Sequence, residues 1–323
     1  MKVLLTGSAG FIGFHVARAL LNKGIEVIGL DNLTDYYDVQ LKENRLKHLR
    51  KNILFKDLNI DVCDYSSLLK VTNDFKPQIV IHLAAQAGVR YSIVNPEIYV
   101  KTNFTGFYNI IEVSKKVGVD KFIYASSSSV YGNDSFPPFK ESEIADKPLN
   151  LYAATKRSNE LLAHSYNHLY GLKVLGLRFF TVYGPWGRPD MALFKFVKKI
   201  LNDEAIDLFN NGNHSRDFTY IDDIVSGVLL AALSESNNQL NTNDASIYNI
   251  GKGSPEKLTD FLAVIEDKLG KRASVNFLDK QMGDVDMTFA DISKLTGEFG
   301  YNPKVSIDEG VGHFVDWYLD YYK

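Results

Sequence analysis

The first thirteen residues constrain the fold more than any other stretch. Lys2-Val3-Leu4-Leu5-Thr6 is an apolar, β-prone run that feeds straight into Gly7-Ser8-Ala9-Gly10-Phe11-Ile12-Gly13. A strand that ends in glycines and then opens a helix presents a tight turn and a ring of unpaired helix N–H groups, which together suit an anion such as a nucleotide diphosphate. Gly7 permits the turn, Gly10 permits close approach of backbone to pyrophosphate, and Gly13 permits packing of helix on strand. The spacing is G-x-x-G-x-x-G, one residue away from the commoner G-x-G-x-x-G dinucleotide pattern. A second apolar run, Ile25-Glu26-Val27-Ile28-Gly29-Leu30, ends in Asp31, 18 residues after Gly13. An acid there accepts hydrogen bonds from both ribose hydroxyls of adenosine and repels a 2′-phosphate, so the two runs together predict NAD rather than NADP. A glycine turn also serves α/β proteins that bind no nucleotide, and the downstream residues decide between the two.

Apolar β-rich runs recur at 2–6, 25–30, 53–56, 78–83, 121–125 and 173–178, separated by stretches of helical period. That alternation predicts an α/β fold, a doubly wound parallel sheet of Rossmann-like type. After about residue 180 the rhythm changes at Tyr183-Gly184-Pro185-Trp186-Gly187-Arg188-Pro189, which reads as entry into a second, smaller α/β substrate domain. Ile221 to Leu233 and Ser246 to Ile250 read as a helix and a buried strand that return to the first domain. The expected division is therefore 1–180 with 219–250 for NAD, and 181–218 with 251–323 for substrate. The run Lys42-Glu43-Asn44-Arg45-Leu46-Lys47-His48-Leu49-Arg50-Lys51 reads as a solvated helix face. Ser234 to Asp244 reads as an exposed connection.

The 36 basic and 39 acidic side chains leave a net charge of −3, so no global field recruits nucleic acid or an anionic membrane. A lone Cys63 excludes an internal disulfide, and no His/Cys cluster has metal-like spacing. With the first strand starting at Lys2 and no apolar run near the ~20 residues of a membrane helix, the chain is expected to be cytoplasmic.

Tyr152-Ala153-Ala154-Thr155-Lys156 opens an amphipathic helix, so Tyr152 and Lys156 share one face. A neighbouring ammonium and a nicotinamide cation would both favour the phenolate of a group whose reference pKa is ~10. Such a phenolate is a competent base towards a sugar hydroxyl. Alone, the pair also fits an aromatic with a snorkelling lysine. The apolar run Lys121 to Ala125 ends in Ser126-Ser127-Ser128-Ser129, at the carboxyl end of a predicted strand where ligands of open α/β sheets collect. A serine there can bond the reacting oxygen and relay its proton to Tyr152.

Glycine turn, acid, serine strip and Tyr/Lys pair together resemble the extended short-chain dehydrogenase/reductase family, in its nucleotide-sugar epimerase branch, over nearly the whole chain. The resemblance implies Ser127, Tyr152 and Lys156 as the catalytic set. It implies Gly7, Gly10, Phe11, Ile12, Gly13, Asp31, Asn32, Asp57, Leu58, Ala84, Ala85 and Asn103 around NAD, with Tyr152 and Lys156 also touching the cofactor. Relatives that dehydrate carry Asp-Glu after the catalytic Ser/Thr, and relatives that decarboxylate have Glu where Ser129 stands; here both positions are serine.

The substrate end is similar to the UDP-glucuronate 4-epimerases through Asp31-Asn32-Leu33 with Asp35-Tyr36-Tyr37-Asp38, Ala84 to Tyr91, Arg178 to Met191 and Ser215 to Tyr220. A UDP-uronate brings two phosphates and a carboxylate, for which planar guanidinium forks are suited. Arg188 and Arg216 are therefore expected at the diphosphate, and Arg90, Ser128, Ser129 and Thr181 around the sugar and its carboxylate. Thr181 and Gln281-Met282-Gly283-Asp284 depart from the UDP-galactose 4-epimerase pattern. The resemblance implies C4 epimerisation of UDP-glucuronate through a 4-keto sugar. The rivals are a 4-epimerase of neutral or N-acetylated UDP-hexoses and a catalytically silent NAD-binding regulator. A homodimer through the helices near 97–117 and 152–170 is implied by resemblance alone.

Overall fold

The computed structural model describes residues 1–133, 135–234, 246–280 and 286–322. The six apolar runs form six parallel strands: β1 (Lys2–Thr6), β2 (Glu26–Asp31), β3 (Phe55–Asn59), β4 (Ile79–His82), β5 (Lys121–Ser127) and β6 (Val174–Phe179). The third starts later than the 53–56 run suggests. Phe55 N–H bonds back to Asn52 at 3.1 Å, and the turn leaves Ile53 98% exposed. Ser246–Ile250 adds a seventh strand beside β6, in the order Ser246–Ile250, β6, β5, β4, β1, β2, β3. The order reverses between β1 and β4, which opens a crevice at the carboxyl ends of the strands.

The central strands β1, β4, β5 and β6 are buried on both faces, as a parallel sheet covered by helices requires, whereas the edge strand β3 is half open. Val3 and Leu5 pack into one apolar cluster and Leu4 into the other, following the two-residue period of a strand. Helix α1 (Phe11–Asn22) follows the glycine turn and α2 (Val39–Leu49) follows the segment after Asp31. Beyond the large sheet, Thr181–Tyr183 pairs with Phe218–Tyr220 and Ile206–Phe209 with Val275–Leu278. Three further helices, Ala192–Leu201, Leu258–Leu269 and Ile307–Tyr322, pack against these short strands.

One reading of the sequence is corrected. The charged run in α2 is not simply a solvated face: Lys42 and Arg45 are buried, and Arg45 is wholly inaccessible. Its guanidinium reaches backbone carbonyls some 140 positions along the chain, at Trp186 and Gly187, which no local charge pattern can reveal. Residues 235–244 of the expected exposed connection and Gln281 to Asp284 lie outside the described residues. Among the described residues no helix is long and apolar enough to cross a membrane, and no group of His, Cys, Asp and Glu has the makings of a metal site.

Candidate active site

A cleft of about 980 Å³ runs from the glycine turn to the short strands beyond the sheet. That lies at the upper end of the roughly 300–1,000 Å³ usual for small-molecule sites, which gives room for a dinucleotide and a second ligand.

At one end, Gly7 has φ +75 and donates to Leu30 O at 2.7 Å. A Cβ on Gly7 would stand 2.7 Å from Ala84 N, and one on Gly13 would stand 2.0 Å from Gly7 O. Helix α1 has no side-chain cap and no acid in its first turn, so its leading N–H groups are left for an external anion. Asp31 receives Ala9 N at 3.1 Å and Leu33 N at 2.9 Å. Burial raises its carboxyl above the ordinary range, opposed by those N–H groups and by Lys42 and Arg45. Phe11, Ile12, Asn32, Ala84 and Ala85 line the same end of the cleft. The residues thus fit a dinucleotide: a turn that only glycine tolerates, an uncapped helix and an acid at the end of β2.

Three predicted cofactor residues do not line the cleft. Asp57 is held by Arg50 through two bonds of 2.9 and 2.6 Å, and Leu58 packs against the core. Asn103 sits in a π-helical turn, Val100–Thr105, where its amide clamps both backbone groups of Gln86 and donates to Thr155 Oγ1 at 3.1 Å. It shapes the Ala84–Gln86 loop from behind.

In the middle of the cleft, β5 ends at Ser127 and the helix Leu151–Tyr170 begins under an Asn150 cap, whose side chain accepts Ala153 N at 2.9 Å. Ser127 lies beside the Tyr152 phenol and favours its ionised form, and it donates to Ser129 Oγ at 3.2 Å. Lys156 is buried and donates to Ala125 O at 2.8 Å. Burial lowers its pKa to about 8. Burial also pushes the Tyr152 phenol above its ordinary value, offset by Ser127 and by the charge of Arg188. Arg188 thus adds a positive charge that favours the phenolate, and Lys156 sits one helical turn further along the same helix.

At the far end, Ser128, Ser129, Thr181, Arg90, Arg188 and Arg216 all line the cleft. Arg188 forms a two-pronged pair with Asp190 at 2.9 and 2.5 Å, and Tyr36 donates to the same carboxylate at 3.0 Å. Arg90 lies over the Phe209 ring at 5.1 Å. Arg216 donates to Ser215 O and Asp286 O at 3.0 and 3.1 Å. The sequence reading quoted Tyr36, Tyr37 and Asp190 without a role and overlooked Glu160. A spacing of four from Tyr152 through Lys156 to Glu160 was the available signal for the last.

The sequence profile of the NAD dependent epimerase/dehydratase family matches residues 3–251. Over its full length the chain is 51% identical to protein CapI of Staphylococcus aureus, all of which is covered. It is 46% identical to a probable UDP-glucuronate 4-epimerase of Rhizobium meliloti, covering 100% of this chain and 98% of that one. The crystal structure of UDP-glucuronic acid 4-epimerase from Bacillus cereus in complex with UDP-glucuronic acid and NAD superposes with a TM-score of 0.92, at 36% identity and with both chains wholly covered.

Proposed function

Because the chain belongs to the NAD-dependent epimerase/dehydratase family, we propose that it interconverts UDP-glucuronate and UDP-galacturonate by inverting C4 of the sugar. The observation that carries the reading is the meeting of Ser127, Tyr152 and Lys156 beside a strand end where Ser128 and Ser129 stand in place of carboxylates.

The cofactor-binding residues are the glycine turn, Asp31, Asn32, Ala84 and Ala85. The chemistry that NAD supplies when bound is reversible storage of the C4 hydride, together with a positive charge beside the phenol. Tyr152 takes the proton of the C4 hydroxyl and later returns one to the same oxygen, while Ser127 hydrogen-bonds that oxygen and links it to the phenol. Between the two transfers the sugar is a 4-ketone that turns its other face. The net oxidation state does not change. No carboxylic acid follows Ser127, so the strip lacks the acid–base pair that elimination at C6 needs. Ser128, Ser129 and Thr181 hold the uronate carboxylate out of alignment with the 4-keto π system, which suppresses loss of CO₂. Arg188 and Arg216 serve the diphosphate, and Arg90 closes the sugar end.

We divide the chain into an NAD domain of 1–180 with 219–250 and a substrate domain of the rest, supported by pairing of Ser246–Ile250 with β6. A homodimer is supported by Val100, Phe104, Tyr108 and Leu161, which are apolar or aromatic yet 41–55% exposed on the two expected helices. A cytoplasmic location is supported by the single cysteine. Parallel turnover assays with UDP-glucuronate and UDP-glucose test the substrate: preference for the acid supports the reading, and preference for the neutral sugar overturns it.

A further inference from the structure

Arg45 is completely buried, and all its hydrogen-bond acceptors are neutral. Nη1 donates to Ala9 O and to Tyr37 Oη, each at 2.8 Å. Nη2 donates to Trp186 O at 2.6 Å and to Gly187 O at 3.3 Å. Nε has no partner, and among the described residues no carboxylate pairs with the guanidinium. Asp31 lies within electrostatic range, but no carboxylate is bonded to the guanidinium, and such a buried cation is costly, so its retention in a packed interior needs a reason.

The acceptors supply one. Ala9 belongs to the glycine turn, whereas Trp186 and Gly187 immediately precede Arg188. A second contact runs parallel, from His15 Nε2 in α1 to Pro185 O at 2.9 Å. Tyr36 adds a third through Asp190, the carboxylate on which Arg188 rests. One segment of the chain, 36–45, therefore grips both the cofactor turn and the loop that aims an arginine at the far half of the cleft.

We propose that Arg45 is a positioning residue that joins the two halves of the cleft. A single guanidinium fixes the carbonyl of the glycine turn and the carbonyls that set Arg188. Affinity for the dinucleotide and affinity for the UDP moiety then depend on the same residue, and binding of each favours the other. The inference rests on the reading of the cleft as a site for NAD and a UDP-sugar.

The test compares wild type with Arg45→Lys, which keeps the charge but loses the planar fork. UDP alone is the calorimetric probe, at saturating NAD, and NAD retained through gel filtration is the second readout. The expected result is about a tenfold loss of UDP affinity together with lower NAD retention. With the sugar varied at saturating NAD, KM rises and kcat stays within about threefold. Wild-type binding of both ligands by a variant that merely melts earlier overturns the proposal, as does weakening of only one ligand. If Arg45→Lys does not fold, Tyr37→Phe removes one acceptor and leaves the guanidinium in place. A parallel loss of about threefold for both ligands is then expected, and unchanged binding of both overturns the proposal. Failure of the wild type to bind UDP would instead contradict the functional reading. Preference for a different UDP-sugar would leave the role of Arg45 intact.

Discussion

Glu160 accepts the Ser126 hydroxyl at 2.6 Å, which ties the helix bearing Tyr152 and Lys156 to the strand end bearing Ser127. The same carboxylate takes two bonds of 2.9 Å from Arg178 and one of 2.9 Å from Arg157. Although burial opposes the charge, these partners hold its carboxyl below the ordinary range. The relative placement of base and hydroxyl is thus fixed by a buried ion pair one turn beyond Lys156.

Removing one side of that pair strands the other. Glu160→Ala leaves Arg178 buried without a counter-charge and is predicted to destabilise the protein by about 3–5 kcal/mol. Urea unfolding at a fixed NAD concentration measures it. A loss below about 1 kcal/mol would show that the network does not hold the site together.

The titration of Lys156 makes a prediction with a definite sign. Its folded-state pKa is depressed to about 8 from the ordinary 10.5, so between those values the unfolded chain binds the extra proton. Stability therefore rises with pH across this window in the cofactor-free protein, and the burial penalty is fully present below about pH 8. Subtracting the unfolding free energy of Lys156→Met from that of wild type isolates the effect. A difference that is flat or falling from pH 8 to 10.5 contradicts it.

Gly13→Ala would place a methyl 2.0 Å from the Gly7 carbonyl oxygen, a backbone atom that cannot step aside alone. The glycine turn must shift, at a cost of about 1–3 kcal/mol or more, and NAD should no longer survive gel filtration. Retention of NAD at the wild-type level would mean that the turn does not carry the cofactor.

Replacing Tyr152 by Phe removes the proton acceptor while leaving an aromatic of similar shape in a buried position. Turnover should fall roughly a hundred- to ten-thousandfold, with NAD still bound. Unchanged turnover would transfer the base role to another group.

Thr181→Ala should raise the share of decarboxylated sugar among the products of a UDP-uronate, if its hydroxyl restrains the carboxylate as proposed. An unchanged product ratio, read by mass spectrometry, removes Thr181 from that role.

The sheet was legible because its strands, β3 aside, are short apolar runs, and the seventh at 246–250 was legible for the same reason. The glycine turn and the Tyr152/Lys156 pair were legible because both are local patterns. What escaped the sequence is long-range. Arg45 looks solvated in a run of charges, yet its acceptors come from the turn before α1 and from residues 186 and 187. Asp57 offered a carboxylate near the cofactor end, but Arg50 seven residues away takes both oxygens. Asn103 was expected at the cofactor, and a π-helical turn instead directs its amide at the Gln86 backbone. Asp57 and Asn103 were assigned to a ligand, and Arg45 to solvent, before their partners within the chain were known.

The central claim is inversion at C4 of a UDP-uronate without net redox change. Its most direct test is to incubate the NAD-loaded protein with UDP-glucuronate, with no added reductant, and follow the anomeric proton signals by NMR. Growth of the UDP-galacturonate signal to a stable ratio is the predicted result. Unchanged UDP-glucuronate in folded, NAD-loaded protein would contradict the account.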